Sequence, residues 1–346
     1  SVASDSTAAT LWASAATGLR GRAAAVAWFD GASDSGDEDD SDAPPPSAPV
    51  VIDVDAPPPP TSFDRPIVID DDAVPAATPS PPAAKELPWW AEPLPAPIFD
   101  TPAERRAVFE VIAAEMRLPT PDGVDCDTVR RIDSPAGPVR VRIFRHDSGG
   151  AQPCLVYMHG GAWMQGSPET HWDITARIAA WNRQTVVSVD YAKAPEHPFP
   201  AALEQCLAVA RFAHDQAAAL GIDPAQIAVG GDSAGGNLSA VLSNHFASAG
   251  LKPFVMQLLI YPGTDHGVET ESRRQLQEGV TLDRKVLEYF YEGYLGGLDV
   301  DMDDPRLSPA KARSFEGVAP AHIVTAQYDP LRDEGRDYGE LLKAAG

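Results

Sequence analysis

Cysteine is scarce in this chain: three residues, Cys126, Cys154 and Cys206, among 346, with no CxxC pair. An odd, widely spaced set does not read as a disulfide framework and gives no zinc-ligand spacing, so each thiol reads as a small buried or half-buried hydrophobe. The same scarcity suits a reducing compartment, and we expect a cytoplasmic protein. Basic residues are also few, 27 Lys and Arg against 50 Asp and Glu, a formal charge of −23. That balance argues against nucleic-acid partners and anionic membranes, both of which select basic surfaces. No apolar run approaches the roughly 18 residues needed to span a bilayer, so stable membrane insertion is not expected. After His322 there is no further histidine, and that absence matters below.

What the chain does have is unevenly distributed. Residues 1–85 carry 14 acidic and 4 basic residues, and 17 of the 34 prolines fall between Pro44 and Pro97. Dense charge and proline cannot bury enough apolar surface to offset chain entropy. We therefore expect 1–85 to be a disordered acidic tail and 86–346 to be a folded domain. Within the tail, Val50 to Asp55 (VVIDVD) and Ile67 to Asp72 (IVIDDD) echo each other. Short β-branched runs followed by acids suit strand addition to a protein partner's sheet edge. They look like motifs that bind small ubiquitin-like modifiers, although a low-complexity linker is the simpler reading.

From Pro97 onwards the pattern is that of a globular domain. Thr101-Pro102-Ala103-Glu104 has the N-cap, first-turn proline and N3 glutamate of a helix start, predicting a helix to about Met116. Val139, Val141 and Ile143 alternate with Arg140, Arg142 and Phe144, the period of a half-buried strand over 138–145. Short apolar runs at 154–158, 185–189, 227–229, 254–260 and 323–326 read as strands buried on both faces. Helical stretches at about 169–182, 201–219, 235–249 and 333–345 lie between them. Such alternation predicts an α/β fold with a mostly parallel sheet covered on both faces, and chemistry at the strands' carboxyl ends.

Three of those ends carry distinctive residues. Gly231-Asp232-Ser233-Ala234-Gly235 follows the 227–229 strand and precedes a helix, the G-x-S-x-G pattern in strand–turn–helix context. There a serine is held on a strained turn with its Oγ clear of the backbone. Gly231 and Gly235 permit close approach of strand and helix, Asp232 is a motif residue beside the nucleophile, and the Ala234 N–H opens the helix. His159-Gly160-Gly161-Ala162-Trp163 follows the 154–158 strand. The paired glycines can aim N–H groups of Gly160 and Gly161 at one oxyanion. His159 precedes the loop and reads as structural, orienting it by hydrogen bonding; Trp163 either lines the substrate pocket or packs under the loop. Asp329 follows the 323–326 strand, where a carboxylate can orient a catalytic histidine. Asp333 is the second choice for that role, and with Glu334 it suits a helix first turn.

These motifs, with Val189-Asp190-Tyr191, Ala194 to Ala202, and Asp329 to Gly335, resemble the hormone-sensitive-lipase family of carboxylesterases over roughly 98–346. The resemblance implies an α/β-hydrolase fold with a helical cap from about 98–125 and 263–300, its second piece presenting Val286, Leu287, Phe290, Tyr291, Tyr294 and Leu295. It implies hydrolysis of short- to medium-chain acyl esters through an acyl-enzyme on Ser233, with Asp329 as acid and Gly160, Gly161 and Ala234 as oxyanion donors. No cofactor or metal is implied. An amidase or deacetylase, or a non-catalytic receptor of the gibberellin-receptor kind, are alternatives on the same fold. Ala192-Lys193 stands where the family often has Arg-Leu.

The triad order on this fold is Ser, acid, His. The histidine is expected one helix and one strand after Asp329, beyond Gly346, so that the chain reads as lacking its last strand and helix and as nearly inactive by itself. His266, in a loop after a strand, is the one histidine placed to swing inward, although a cap-loop residue is the simpler reading.

Overall fold

In a computed structural model, residues 101–251, 254–278 and 282–346 are described. The acidic tail and both β-branched runs lie outside them. The helix expected after Pro97 is α1, Pro102–Met116, and its start has the reciprocal cap anticipated. Thr101 Oγ1 accepts from the Glu104 N–H at 3.2 Å, and the Glu104 carboxylate accepts from the Thr101 N–H at 3.0 Å.

A seven-stranded sheet follows: β1 (Val124–Ile132), β2 (Val139–His146), β3 (Gln152–Met158), β4 (Thr185–Asp190), β5 (Ile222–Asp232), β6 (Gln257–Ile260) and β7 (Ala321–Val324). Their order across the sheet is β1-β2-β4-β3-β5-β6-β7. β2 runs antiparallel to both β1 and β4, and β4-β3-β5-β6-β7 are parallel. The helices are α2 (Trp172–Trp181), α3 (Ala201–Asp215), α4 (Ala217–Leu220), α5 (Ala234–Ser248), α6 (Glu271–Gln275), α7 (Arg284–Leu295) and α8 (Arg332–Ala345).

The apolar run of β3 explains its place in the sheet. Cys154, Val156 and Met158 point to one face and join the core built with α3 and α5. Leu155 and Tyr157 point to the other and pack with Ala176 and Ala179 of α2. Successive side chains of a strand alternate in direction, so a strand buried on both sides must be apolar throughout. Each such side chain contributes about 1.5–3 kcal/mol on leaving water. The antiparallel β1 escapes sequence detection because its residues VDCDTVRRI are mostly polar and it lies at the sheet edge. The 254–260 run yields strand pairing only from Gln257, and β7 lies two residues earlier than the apolar run suggests.

The segment 263–300 holds α6 and α7. Phe290 and Tyr294 of α7 are buried, and Val286, Leu287, Tyr291 and Leu295 are half-buried. Arg105 of α1 lies over the rings of Tyr289 and Phe290, at 5.2 and 5.4 Å. Arg106 donates to the carbonyls of Met164 (2.6 Å) and Ala194 (2.8 Å), tying α1 to loops that follow β3 and β4. At the departure from the family pattern, Lys193 pairs with Asp190 at 2.7 Å.

Candidate active site

Ser233 stands between the end of β5 and the first residue of α5, with φ +53° and ψ −118°. A non-glycine residue in that conformation is strained, and the neighbouring packing holds it there. Its N–H donates to the Ile260 carbonyl at 2.8 Å. A Cβ on Gly231 would lie 2.1 Å from the Met158 carbonyl oxygen, and one on Gly235 only 1.9 Å from it. The turn therefore presses onto the end of β3, which no side chain at either position would permit.

The loop after β3 reaches Ser233 from the neighbouring strand. Gly160 is fixed through both its backbone groups. Its N–H donates to Asp232 Oδ1 at 2.9 Å, and its carbonyl accepts from His159 Nδ1 at 2.7 Å. This corrects the expectation for Gly160: its amide is occupied by the buried Asp232 carboxylate and is not free for an oxyanion. His159 is fully buried, stacked on Tyr191 at 4.2 Å, and burial pushes its imidazole far below the usual range. It is thus a neutral donor that orients the loop. The next three residues all have positive φ: Gly161 (+119°), Ala162 (+53°) and Trp163 (+59°). Because a peptide unit is planar and trans, the Gly161 N–H points opposite to the Gly160 carbonyl and so away from His159. Sequence reasoning passed over Ala162, because alanine gives no hint of a left-handed turn.

Ser233, Ala162, Trp163 and Ala234 line one cavity with Gly263, His266, Leu282, Leu287, Phe290, Tyr291 and Leu331. Trp163 lines this cavity and stacks on Tyr294 at 4.3 Å, only 4% exposed. A second opening shares His266, Leu287 and Tyr291 with the first, and adds Glu269, Arg273, Arg284 and Glu288.

Asp329 follows β7, in the turn that carries Leu331 to the cavity wall. Its Oδ1 accepts from the Leu331 N–H at 2.8 Å, and burial raises its carboxyl above the usual range. Asp333, the second choice, is taken up elsewhere: its carboxylate accepts from the Ser272 N–H at 2.7 Å and pairs with Arg332. Glu334 lies in the first turn of α8, as expected, and is buried there. It is 1% exposed, accepts from the Thr264 N–H at 2.8 Å and meets Arg273 at 2.6 Å. Nothing in the sequence marks this buried contact, because it joins residues 61 apart.

His266 lines the serine cavity, but its Nδ1 lies 3.0 Å from Tyr291 Oη and its Nε2 3.3 Å from Asn237 Nδ2. Burial and Arg273 push it down to about 3, too weak for a general base near neutrality. Among the described residues no hydrogen bond joins a histidine to Asp329 or to the Ser233 hydroxyl. Nor does any group of three or more His, Cys, Asp and Glu side chains converge there as metal ligands would.

A serine on a strand-to-helix elbow, above a parallel sheet and beside a left-handed glycine loop, defines the α/β hydrolases. Residues 155–346 match the alpha/beta hydrolase fold family, and the chain belongs to it. Among curated relatives, the carboxylic ester hydrolase LipN of Mycobacterium tuberculosis is 45% identical over 222 residues, 62% of this chain and 58% of LipN. Ethyl acetate hydrolase of Pseudomonas putida is 34% identical over 70% of this chain and 77% of its own length. Among solved structures, ester-hydrolase EH1AB1 from the Lake Arreo metagenome superposes with TM-score 0.67 at 38% identity, covering 77% of this chain and 80% of that one. The chain spans about three fifths of the length of LipN and of the carboxylesterase NlhH. The carboxylesterase resemblance carried by the sequence motifs holds.

Proposed function

We propose that this protein hydrolyses carboxylic esters of short- to medium-chain acids by two-step acyl transfer. The observation that carries this reading is the strained Ser233, opening with Ala162 and Ala234 into one largely apolar cavity. Ser233 Oγ attacks the ester carbonyl carbon and yields its proton to an imidazole base. The carbonyl oxygen becomes an oxyanion, and the N–H groups of Gly161, Ala162 and Ala234 receive it, the last strengthened by the N-terminal dipole of α5. Collapse of the tetrahedral state expels the alcohol, which takes the proton from the imidazolium. Water, deprotonated by the same imidazole, then attacks the acyl carbon and releases the acid and Ser233. Asp329 is the carboxylate that holds the imidazole and offsets its charge. Leu282, Leu287 and Phe290 provide an apolar wall for the acyl chain.

Among the described residues no histidine is hydrogen-bonded to Ser233 or Asp329, which supplies a direct test. Free imidazole added to the 346-residue chain is expected to accelerate hydrolysis of p-nitrophenyl butyrate well beyond its own background rate, and Ser233→Ala to abolish the excess. The excess is also expected to fall with acyl length beyond about eight carbons. An equal rate in wild type and Ser233→Ala would refute the reading.

A further inference from the structure

Behind Ser233 lies a buried polar cluster that the acyl-transfer chemistry does not use. Asp232 is 6% exposed, yet its carboxylate has three partners. Oδ1 accepts from the Tyr157 hydroxyl at 2.7 Å and from the Gly160 N–H at 2.9 Å. Oδ2 meets His171 Nε2 at 3.2 Å. His171 comes from the stretch just before α2, 61 residues away, and its side chain is 13% exposed.

The ring's other nitrogen, Nδ1, lies 2.8 Å from Thr170 Oγ1. The same oxygen accepts from the Ser167 N–H at 2.9 Å and lies 2.9 Å from the Ser167 carbonyl, which can only accept; with the hydroxyl hydrogen on that carbonyl, Thr170 faces His171 as an acceptor. A carboxylate likewise only accepts. In that arrangement both ring nitrogens face acceptors, which the doubly protonated imidazolium satisfies. The other groups around the ring are the His159 ring at 5.4 Å, the Tyr157 ring at 6.5 Å, the Phe109 ring at 6.3 Å and, electrostatically, Glu110 of α1. His159 is neutral, so no cation opposes the charge on His171 at close range.

We propose that His171 and Asp232 form a buried ion pair that positions the oxyanion loop. The imidazolium keeps the Asp232 carboxylate ionised, and the carboxylate holds the Gly160 N–H. With the Gly160 carbonyl on His159, that anchor fixes the peptide plane from which the Gly161 and Ala162 amides project. Both are positioning residues, since neither reaches the substrate cavity. This inference rests on the esterase reading only in giving the loop its oxyanion role; the ion pair and its grip on Gly160 stand apart from it. Burial opposes the charge on His171, but Asp232 outweighs it and raises the imidazole above its ordinary value. The raised value sets the sign: the pair is intact below about pH 6.5 and is lost as pH rises through the higher folded-state value.

The test follows the His171 ring and the Gly160 amide together by NMR of the full chain. The expected result is a His171 that titrates above about 6.5, with the Gly160 amide proton moving upfield in step. In Asp232→Asn the amide oxygen still accepts from Tyr157 and Gly160 while the amide nitrogen faces the ring, so His171 is expected to be neutral at pH 6. His171→Gln serves as the second variant should the first unfold, and is expected to leave the Gly160 amide insensitive to pH. A wild-type His171 already neutral at pH 6, or a Gly160 amide that ignores its titration, overturns the proposal. Phosphonylation of Ser233 by an alkyl p-nitrophenyl phosphonate, with imidazole present, adds the functional readout. His171→Gln is expected to slow it roughly tenfold or more, approaching the loss of one oxyanion donor. Unchanged phosphonylation by His171→Gln overturns the positioning role. Absence of labelling in wild type counts against the esterase reading, while the NMR result still decides the ion pair.

Discussion

At the scale of single residues, the site depends on what is absent as much as on what reacts. Gly235 has no side chain, and the Met158 carbonyl oxygen occupies the place a Cβ would take, 1.9 Å away. The clash is with backbone of a central strand, which cannot swing aside as a side chain can. Gly235→Ala is therefore expected to lower unfolding free energy by about 2–4 kcal/mol, measured as an earlier urea midpoint at unchanged slope. Asp329 shows the complementary case. Its carboxyl is raised by burial and has the Leu331 N–H as partner, but no cation neutralises it beyond the pull of Arg332. In the proposed mechanism, that environment suits the carboxylate that stabilises a positive imidazolium.

Between elements, the decisive contact is the one α6 makes with α8. The Ser272 hydroxyl donates to the Pro330 carbonyl at 2.8 Å, its N–H binds Asp333, and Arg273 meets Glu334. These three bonds grip the chain immediately after Asp329 and hold it against the segment that lines the serine cavity. Burial raises the Glu334 carboxyl to about 7, with Arg273 limiting the rise. In the unfolded chain the same group ionises near its ordinary 4.5. Between those values the folded state binds the extra proton, so stability is expected to decline as pH rises from about 5 to 7 and to level off above. Glu334→Gln should flatten that slope in urea titrations at stepped pH. At pH 8, where Glu334 is ionised, Arg273→Met leaves a buried carboxylate without its cation. A loss of about 3–5 kcal/mol is expected there.

For the whole molecule, charge dominates behaviour in solution. The formal charge is −23 and the isoelectric point is about 4.6. Mutual repulsion keeps copies apart near neutrality and vanishes near the isoelectric point. Turbidity of the purified chain is expected to peak close to pH 4.6, and salt added at pH 7.5, by screening the repulsion, is expected to lower its solubility. A turbidity maximum well above pH 6 would mean that the exposed surface is far less acidic than the composition.

The sequence alone determined the layered α/β architecture, because strands buried on both faces must be continuously apolar and those runs were visible. It also determined Ser233 and the close-approach glycines, because a strand–turn–helix elbow imposes its residues locally. The antiparallel β1 was illegible, since an edge strand buries too little to impose a pattern. Only the tertiary structure decided the rest: that Asp232 takes the Gly160 amide, that Ala162 enters the cavity wall, that Glu334 is buried on Arg273 and that His171 reaches Asp232. The three contacts are pairings across tens of residues of chain, and the cavity wall likewise joins distant segments; which groups meet is chosen by how the elements pack, not by any pattern within one segment.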